Sequence, residues 1–90
     1  MNKIVISKKA QKQLKKIPDH IQRNLQIWAS QVEMMGINEV RKIKGYHDEP
    51  LLADRKWQRS VRLSKAYRAF YIEHENSIII EVIEVNKHDY

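Results

Sequence analysis

Arginine residues that could contact a phosphate group lie in the second half of the chain. Arg59, Arg62 and Arg68 fall on two consecutive predicted strands that a tight turn joins. Because neighbouring strands are about 5 Å apart, these guanidinium groups can converge on one patch. Arginine presents a planar set of donors that matches the geometry of a phosphate. The spacing therefore indicates a phosphate-directed patch.

Arg68 gives the sharpest form of this hypothesis. It shares a strand face with Phe70 and Ile72, so its aliphatic stem is expected to be packed and its guanidinium fixed. A fixed arginine beside a cleft stabilises the negative charge that develops on a phosphorane. The alternative is a structural ion pair with Glu81 or Glu84 on the adjacent strand.

Two further groups of residues could move protons. The segment Asp48–Leu51 places carboxylates among basic residues, where an ionised carboxylate can accept a proton. The alternative there is a surface ion pair, which contributes little energy. The chain ends with His88, Asp89 and Tyr90. Histidine titrates near neutral pH and tyrosine can donate a proton, although a frayed end is the alternative interpretation.

The net charge is concentrated in the middle of the chain. The 90 residues carry 17 Lys+Arg and 11 Asp+Glu, which gives +6. Residues 41–68 hold nine bases and three acids, whereas residues 69–90 hold one base and five acids. This pattern is compatible with a solvated basic surface, with a nucleic-acid partner or with an acidic protein partner.

The composition excludes several classes of protein. With no cysteine there is no disulfide, thiolate metal site or cysteine nucleophile. With two glycines and isolated histidines there is no Gly-rich phosphate loop and no metal-binding spacing, so no metal or cofactor is expected. The longest aliphatic run, Ile78–Ile80, is too short to span a membrane, and the start lacks a signal peptide. We expect one cytoplasmic domain over residues 1–90 with no membrane contact.

The first half of the chain predicts a strand and two helices. Lys3–Ile6 is a short apolar strand, and Ser7 is a suitable N-cap for the helix that follows. Pro18 interrupts this helix and opens a second one, which Gly36 ends. The apolar stripe of the second helix consists of Ile21, Leu25, Trp28, Val32 and Met35.

The second half predicts strands. Residues 37–56 are expected to form a loop with a short strand near Val40–Ile43. Three strands follow, at Trp57–Leu63, Ala66–His74 and Ile78–Val85. The order β-α-α-β-β-β-β predicts an α+β fold in which two N-terminal helices pack on one face of a mostly antiparallel sheet. The other face of the sheet is then free for a ligand or partner.

Several motifs in this order and spacing resemble the RelE/ParE superfamily of type II toxins, most closely the RelE, HigB and YoeB types of mRNA interferase. The resemblance covers nearly the whole chain. The motifs that carry it are Lys16–Pro18, Gly45–Leu51, Arg59–Leu63, Ala66–Tyr71 and Glu84–Tyr90.

The resemblance implies a toxin that enters the ribosomal A site and cleaves mRNA by attack of a 2′-hydroxyl on the adjacent phosphate. Glu49 then matches the general base, Arg68 the arginine that stabilises the transition state and Arg62 a phosphate contact. Tyr90 matches the terminal aromatic residue that stacks on a base or assists proton transfer, and the acid role falls to His88 or Asp89. The YoeB type has histidine directly before its final tyrosine, where this chain has Asp89.

Other basic residues are predicted to contact RNA or the ribosome. They are Lys42, Lys44, Arg55, Lys56, Arg59, Lys65 and Lys87. The resemblance also implies a cognate antitoxin, expected to be acidic and to cover the basic cleft. Two alternatives stay open, namely a ParE-type inhibitor of DNA gyrase with the same fold and an RNA-binding module without catalysis.

Overall fold

A computed structural model describes residues 2–87 and consists of a five-stranded sheet and three helices. The strands are β1 (Lys3–Ile6), β2 (Glu49–Pro50), β3 (Gln58–Arg62), β4 (Tyr67–His74) and β5 (Ile79–Lys87). The helices are α1 (Lys8–Leu14), α2 (Asp19–Met35) and α3 (Ile37–Val40), with 3-10 turns at Lys44–Tyr46 and Ala53–Arg55. The sheet order is β1-β5-β4-β3-β2, and only β1 and β5 run parallel.

The predicted α+β class is confirmed, because the apolar stripe of α2 and one face of the sheet form a single core. Ile21, Leu25, Trp28 and Val32 are all buried on α2. The sheet contributes a second set of buried residues to the same cluster, namely Val61, Ala69, Tyr71, Ile80, Val82 and Val85, and Leu63 joins them directly after β3. Met35, predicted to belong to the stripe, is exposed because it lies in the last turn of α2.

Two predictions about the segment before the hairpin are wrong. No strand forms at Val40–Ile43. Ile37–Val40 instead forms one helical turn, α3, and the side chains of Ile37 and Val40 lie on the same side of this turn and are buried. The strand that precedes β3 is β2, only two residues long, which pairs with Ser60 and Arg59. The second wrong prediction is that Trp57 begins the strand Trp57–Leu63. Trp57 instead lies in the turn before β3 and is largely exposed.

A register shift in the β4–β5 pair changes which side chains of β5 reach the core. Phe70 pairs with Glu84, whereas the next residue, Tyr71, pairs with Val82, so Ile83 is an extra residue. An extra residue inverts the alternation of faces along a strand. Val82 and Val85 therefore both face the core, and Glu84 lies level with Phe70 on the opposite face.

Helix α1 protects the part of β5 that β1 does not cover. Pairing with β1 ends at Val82, and beyond it the backbone N–H of Val85 donates to Gln13 Oε1 over 2.7 Å. The Ser7 hydroxyl accepts from Ala10 N–H at the start of α1 and donates to the carbonyl of Ile83. The predicted N-cap is thus confirmed, and it also closes an edge of the sheet. Among residues 2–87 no helix is both long enough and apolar enough to cross a membrane.

Gly36 joins α2 to α3 in a backbone conformation that side chains rarely adopt, with φ of 89° and ψ of 148°. We expect Gly36→Ala to lower the free energy of unfolding by about 1–3 kcal/mol, because this region of φ and ψ is almost restricted to glycine. Gly45→Ala is the matched control, since an added Cβ there meets no atom within 4 Å. Urea denaturation measures both, and equal stabilities of the two variants would contradict the prediction.

Candidate functional site

The face of the sheet opposite the core presents its polar side chains in two rows. In the first row Glu49 on β2 pairs with Ser60 on β3, which pairs with Phe70 on β4. In the second row Arg62 on β3 pairs directly with Arg68 on β4. Residues at paired positions project from the same side of a sheet. The structure therefore brings together Glu49, Arg62 and Arg68, which we call the outer-face cluster.

Arg68 is held in place at two points. Its Nη1 lies 3.4 Å from Glu49 Oε1 and 3.2 Å from the Ser60 hydroxyl. Ser60 is buried, and only 14% of the Arg68 side chain is exposed. The expected fixed guanidinium is therefore present, and its carboxylate partner is Glu49 rather than Glu81 or Glu84. Ser60 was not predicted as a site residue, although its position in the alternation of β3 marks it as a neighbour of Arg62.

Glu49 is the accessible carboxylate of the cluster, with about half of its side chain exposed. Its Oε1 faces Arg68, and its Oε2 lies 3.7 Å from Nε2 of His47. His47 has a left-handed backbone, with φ of 46°. The turn thereby places the imidazole of His47, a histidine that looks isolated in the sequence, beside Glu49. The sequence signal for this contact is that His47 stands two residues before Glu49, where an extended segment begins.

Arg62 differs from the other arginines around the sheet. Arg41, Arg55, Arg59 and Arg68 each form an ion pair with a carboxylate. Within residues 2–87, no hydrogen bond or ion pair occupies the Arg62 guanidinium. Its charge is therefore available to an anion that reaches the outer-face cluster.

Arg59 projects from the opposite side of β3 and belongs to a separate network. Its Nε donates to Asp48 Oδ1 over 2.7 Å, and Asp48 is only 1% exposed. The Tyr71 hydroxyl donates to Asp48 Oδ2 over 2.5 Å. Arg41 donates to the Tyr71 hydroxyl and, over 2.5 Å, to Glu73. Arg59 is thus separated from Arg62 and Arg68, and the expected convergence of all three arginines is wrong because odd and even positions of a strand face opposite sides.

A second network covers the outer face near β5. The guanidinium of Arg55 lies 4.5 Å from the centre of the Phe70 ring and 3.3 Å from Glu84. Lys9 on α1 also contacts Glu84, at 3.2 Å. Glu84 therefore ties the 3-10 turn at Ala53–Arg55 and helix α1 to the same strand. Arg55, which was predicted to contact RNA or the ribosome, lies on the outer face against Phe70 and Glu84.

The remaining predicted contacts are spread over the surface. Lys42 forms an ion pair with Glu39 at 3.0 Å, and Lys56 lies 5.2 Å from the centre of the Trp57 ring. Lys65 follows β3 in the turn to β4, and Lys87 ends β5. Lys44 lies in the 3-10 turn before His47. The predicted proton donors His88 and Tyr90, like Asp89, lie outside the described residues.

Comparison with known proteins gives matches among solved structures. No protein-family model matches the chain, and no curated protein matches its sequence. YafQ from E. coli superimposes with a TM-score of 0.77 at 13% identity, over 98% of this chain and 94% of that one. A YoeB/ParE toxin from Agrobacterium tumefaciens gives 0.74 at 15% identity, over 99% and 100%. The RelBE2 toxin–antitoxin complex from Mycobacterium tuberculosis gives 0.68 at 15%, over 97% and 98%.

These matches cover nearly all of the chain, so the chain has the same fold as these toxins. The fold expected from the sequence resemblance is therefore confirmed. The similarity is one of architecture, since the aligned sequences are 13–15% identical.

Because of the buried network around Asp48, we expect the free energy of unfolding to fall at alkaline pH. Burial, followed by the hydrogen bond to Asp48, raises the pKa of Tyr71 far above its ordinary value. The phenol ionises more readily in the unfolded chain, so the stability it contributes is complete below about pH 10 and is lost as the pH rises further. We expect this contribution to fall by about 1.4 kcal/mol per pH unit.

Urea denaturation between about pH 8 and about pH 11 spans the ordinary tyrosine pKa and measures this slope. Tyr71→Phe should show a shallower decline than the wild-type chain over the same range. Tyr67→Phe is the control, because it removes a hydroxyl from the same strand outside the Asp48 network. Identical pH slopes for the wild-type chain and Tyr71→Phe would contradict the prediction.

Proposed function

We propose that this protein is the toxin of a type II toxin–antitoxin pair and that it cleaves mRNA on the ribosome, in the cytoplasm. The observation that carries the proposal is the outer-face cluster. There a fixed arginine, an arginine with no carboxylate partner among residues 2–87, and an accessible carboxylate share one face of the sheet. The fold shared with YafQ, YoeB/ParE and RelBE2 toxins supports the same conclusion. The net charge of +6 suits a polyanionic substrate.

In the proposed reaction each member of the cluster has a role. Arg62 and Arg68 bind the non-bridging oxygens of the scissile phosphate and stabilise the charge that builds on them. Glu49 takes the proton of the attacking 2′-hydroxyl, because it is the exposed carboxylate beside Arg68. The 2′-oxygen bonds to phosphorus, the bond to the 5′-oxygen breaks, and a 2′,3′-cyclic phosphate remains. Ser60 acts as a positioning residue through its hydrogen bond with Arg68.

The leaving 5′-oxygen needs a proton. The resemblance to the YoeB and RelE types assigns this step to His88 or Tyr90 at the end of the chain. Arginine does not supply it, because a guanidinium stays protonated at physiological pH. Glu49 and the terminal residues thus have opposite tasks, one accepting a proton and the other giving one.

An antitoxin is the proposed protein partner. The solved relatives include complexes of this kind, the RelBE2 complex and the DinJ–YafQ complex from E. coli. For this chain the natural docking surface is the basic segment 41–68, with nine bases and three acids. An acidic antitoxin that neutralises Arg62 would also exclude RNA from the outer-face cluster.

Arg68→Ala is expected to lower the rate of mRNA cleavage by about 10²–10³-fold, the usual effect of removing one donor that stabilises a transition-state charge. Arg68→Lys, which keeps the charge without the two-point attachment, should recover only part of the rate. The measurement is primer extension on mRNA bound to programmed ribosomes, with circular dichroism to show that each variant folds. Cleavage at the wild-type rate by Arg68→Ala would refute the assignment.

Glu49→Gln separates base catalysis from phosphate binding. The amide keeps the shape of the side chain but accepts no proton from the 2′-hydroxyl, so we expect kcat to fall by about 10²–10⁴-fold while RNA affinity persists. Glu39→Gln is the control, since it neutralises an exposed carboxylate that is also paired with a lysine. A DNA-supercoiling assay with gyrase runs alongside. Gyrase inhibition without any RNA cleavage would replace the proposal with the ParE-type alternative.

A further inference from the structure

A cavity of about 330 Å³ opens beside the outer-face cluster, between helix α2, the 3-10 turn Lys44–Tyr46 and the turn that joins β3 to β4. Ile27, Ile43 and Tyr46 give it apolar and aromatic walls, and Asn24 and Gln31 give it amide groups. Arg62 also lines it. A pocket with apolar walls and a few polar groups in fixed places is the usual form of a small-molecule or base-binding site.

The amide groups are already held in place and keep unused hydrogen-bonding capacity. Asn24 Nδ2 donates to the carbonyl of Leu63 over 2.8 Å, and Gln31 Oε1 accepts from the Tyr46 hydroxyl. Within the described part of the chain, Asn24 Oδ1 is left as an acceptor and Gln31 Nε2 as a donor. Burial raises the pKa of Tyr46, which keeps its hydroxyl protonated as the donor to Gln31.

Arg62 joins this cavity to the outer-face cluster. It lines the cavity, and it is also the cross-strand partner of Arg68. An RNA phosphate bound at Arg62 would therefore place the nucleotide to which it belongs at the mouth of the cavity. The spacing of one strand between Arg62 and Arg68, about 5 Å, suits neighbouring parts of a single RNA backbone.

We propose that the cavity binds one base of the RNA next to the cleaved phosphate, and so sets the nucleotide preference of the cut. The base would lie against Tyr46 and the isoleucine side chains, with its polar edge towards Asn24 and Gln31. This inference rests on the proposed nuclease function. A purely apolar side chain of a partner protein fits less well, because it would offer no partner to Asn24 Oδ1 or to Gln31 Nε2.

The test is titration of the full chain with each of the four ribonucleoside 5′-monophosphates, and with inorganic phosphate, followed by NMR of the backbone amides. Gly45→Leu is the decisive variant. Gly45 lines the cavity, and an added Cβ there meets no atom within 4 Å, so we expect a leucine to start in open space at the cavity wall and to narrow the cavity. Gly45→Ala is its matched control.

We expect at least one nucleotide to bind more tightly than inorganic phosphate, with shifts at Asn24 and Gln31. Gly45→Leu should weaken this binding by about tenfold, the usual effect of losing one stacked base, while Gly45→Ala changes it little. Gln31→Glu keeps an acceptor for Tyr46 but removes the free donor, so it should change the ranking of the four bases. Arg23→Ala, which removes an arginine of α2 that does not line the cavity, should leave the ranking unchanged.

Three results would overturn the proposal. They are nucleotide binding no tighter than that of phosphate, the same affinity in Gly45→Leu as in the wild-type chain, and no nucleotide binding at all, which would leave the cavity to a protein side chain.

The titration does not depend on cleavage, and it is repeated with Arg68→Ala. If the chain cleaves mRNA but Gly45→Leu keeps both nucleotide affinity and cut-site preference, this inference fails alone. If nucleotides bind as expected but Arg68→Ala cleaves normally, the catalytic assignment fails instead.

Discussion

The buried charge of Asp48 is the constraint on which the geometry of the site depends. A carboxylate that is 1% exposed is stable only when donors replace its water, and here Arg59 and Tyr71 do so at 2.7 and 2.5 Å. These bonds fasten the turn before β2 to both β3 and β4. Because Glu49 is the next residue, its place opposite Ser60 follows from the placement of Asp48. A two-residue strand has too few ladder hydrogen bonds to hold this position alone.

The two neighbouring acidic residues, Asp48 and Glu49, lie on opposite sides of the sheet and make different contacts. Asp48 satisfies buried donors at the core side, while Glu49 remains half exposed on the outer face. On the outer face, alternation along β3 gives Ser60 and Arg62 to the cluster, and it sends Arg59 to Asp48. One short segment of sequence therefore supplies both the bond that fixes the turn and the group proposed to react.

The sequence predicted those parts of the molecule that depend on periodicity. The stripe of α2 follows from its spacing, and the strands that carry Arg62 and Arg68 follow from their alternation, although the prediction wrongly grouped Arg59 with these two arginines. The burial of Asp48 could not be predicted, since an Asp among basic residues ordinarily lies at the surface. Nor could the position of Glu84, because the bulge that moves it to the outer face depends on tertiary pairing and leaves no periodic signal. The local sequence pattern thus predicts the helices and strands. The surroundings of the site are determined by buried polar groups and bulges, which join segments that are distant in the sequence.

The pairing of Arg68 with Glu49 links substrate binding to base catalysis in the proposed reaction. With no substrate, the guanidinium and the carboxylate neutralise each other, at 3.4 Å. A phosphate is also an anion with oxygen acceptors, so it competes with Glu49 for the same donors of Arg68. Arg62, which has no carboxylate partner among residues 2–87, offers the phosphate an initial contact without such competition. As the phosphate takes over the donors of Arg68, the Glu49 carboxylate is released from that contact and is free to accept the proton of the 2′-hydroxyl in the proposed reaction. In the proposed reaction the ion pair therefore holds Glu49 in place before RNA binds and gives up its donors to the phosphate when RNA arrives.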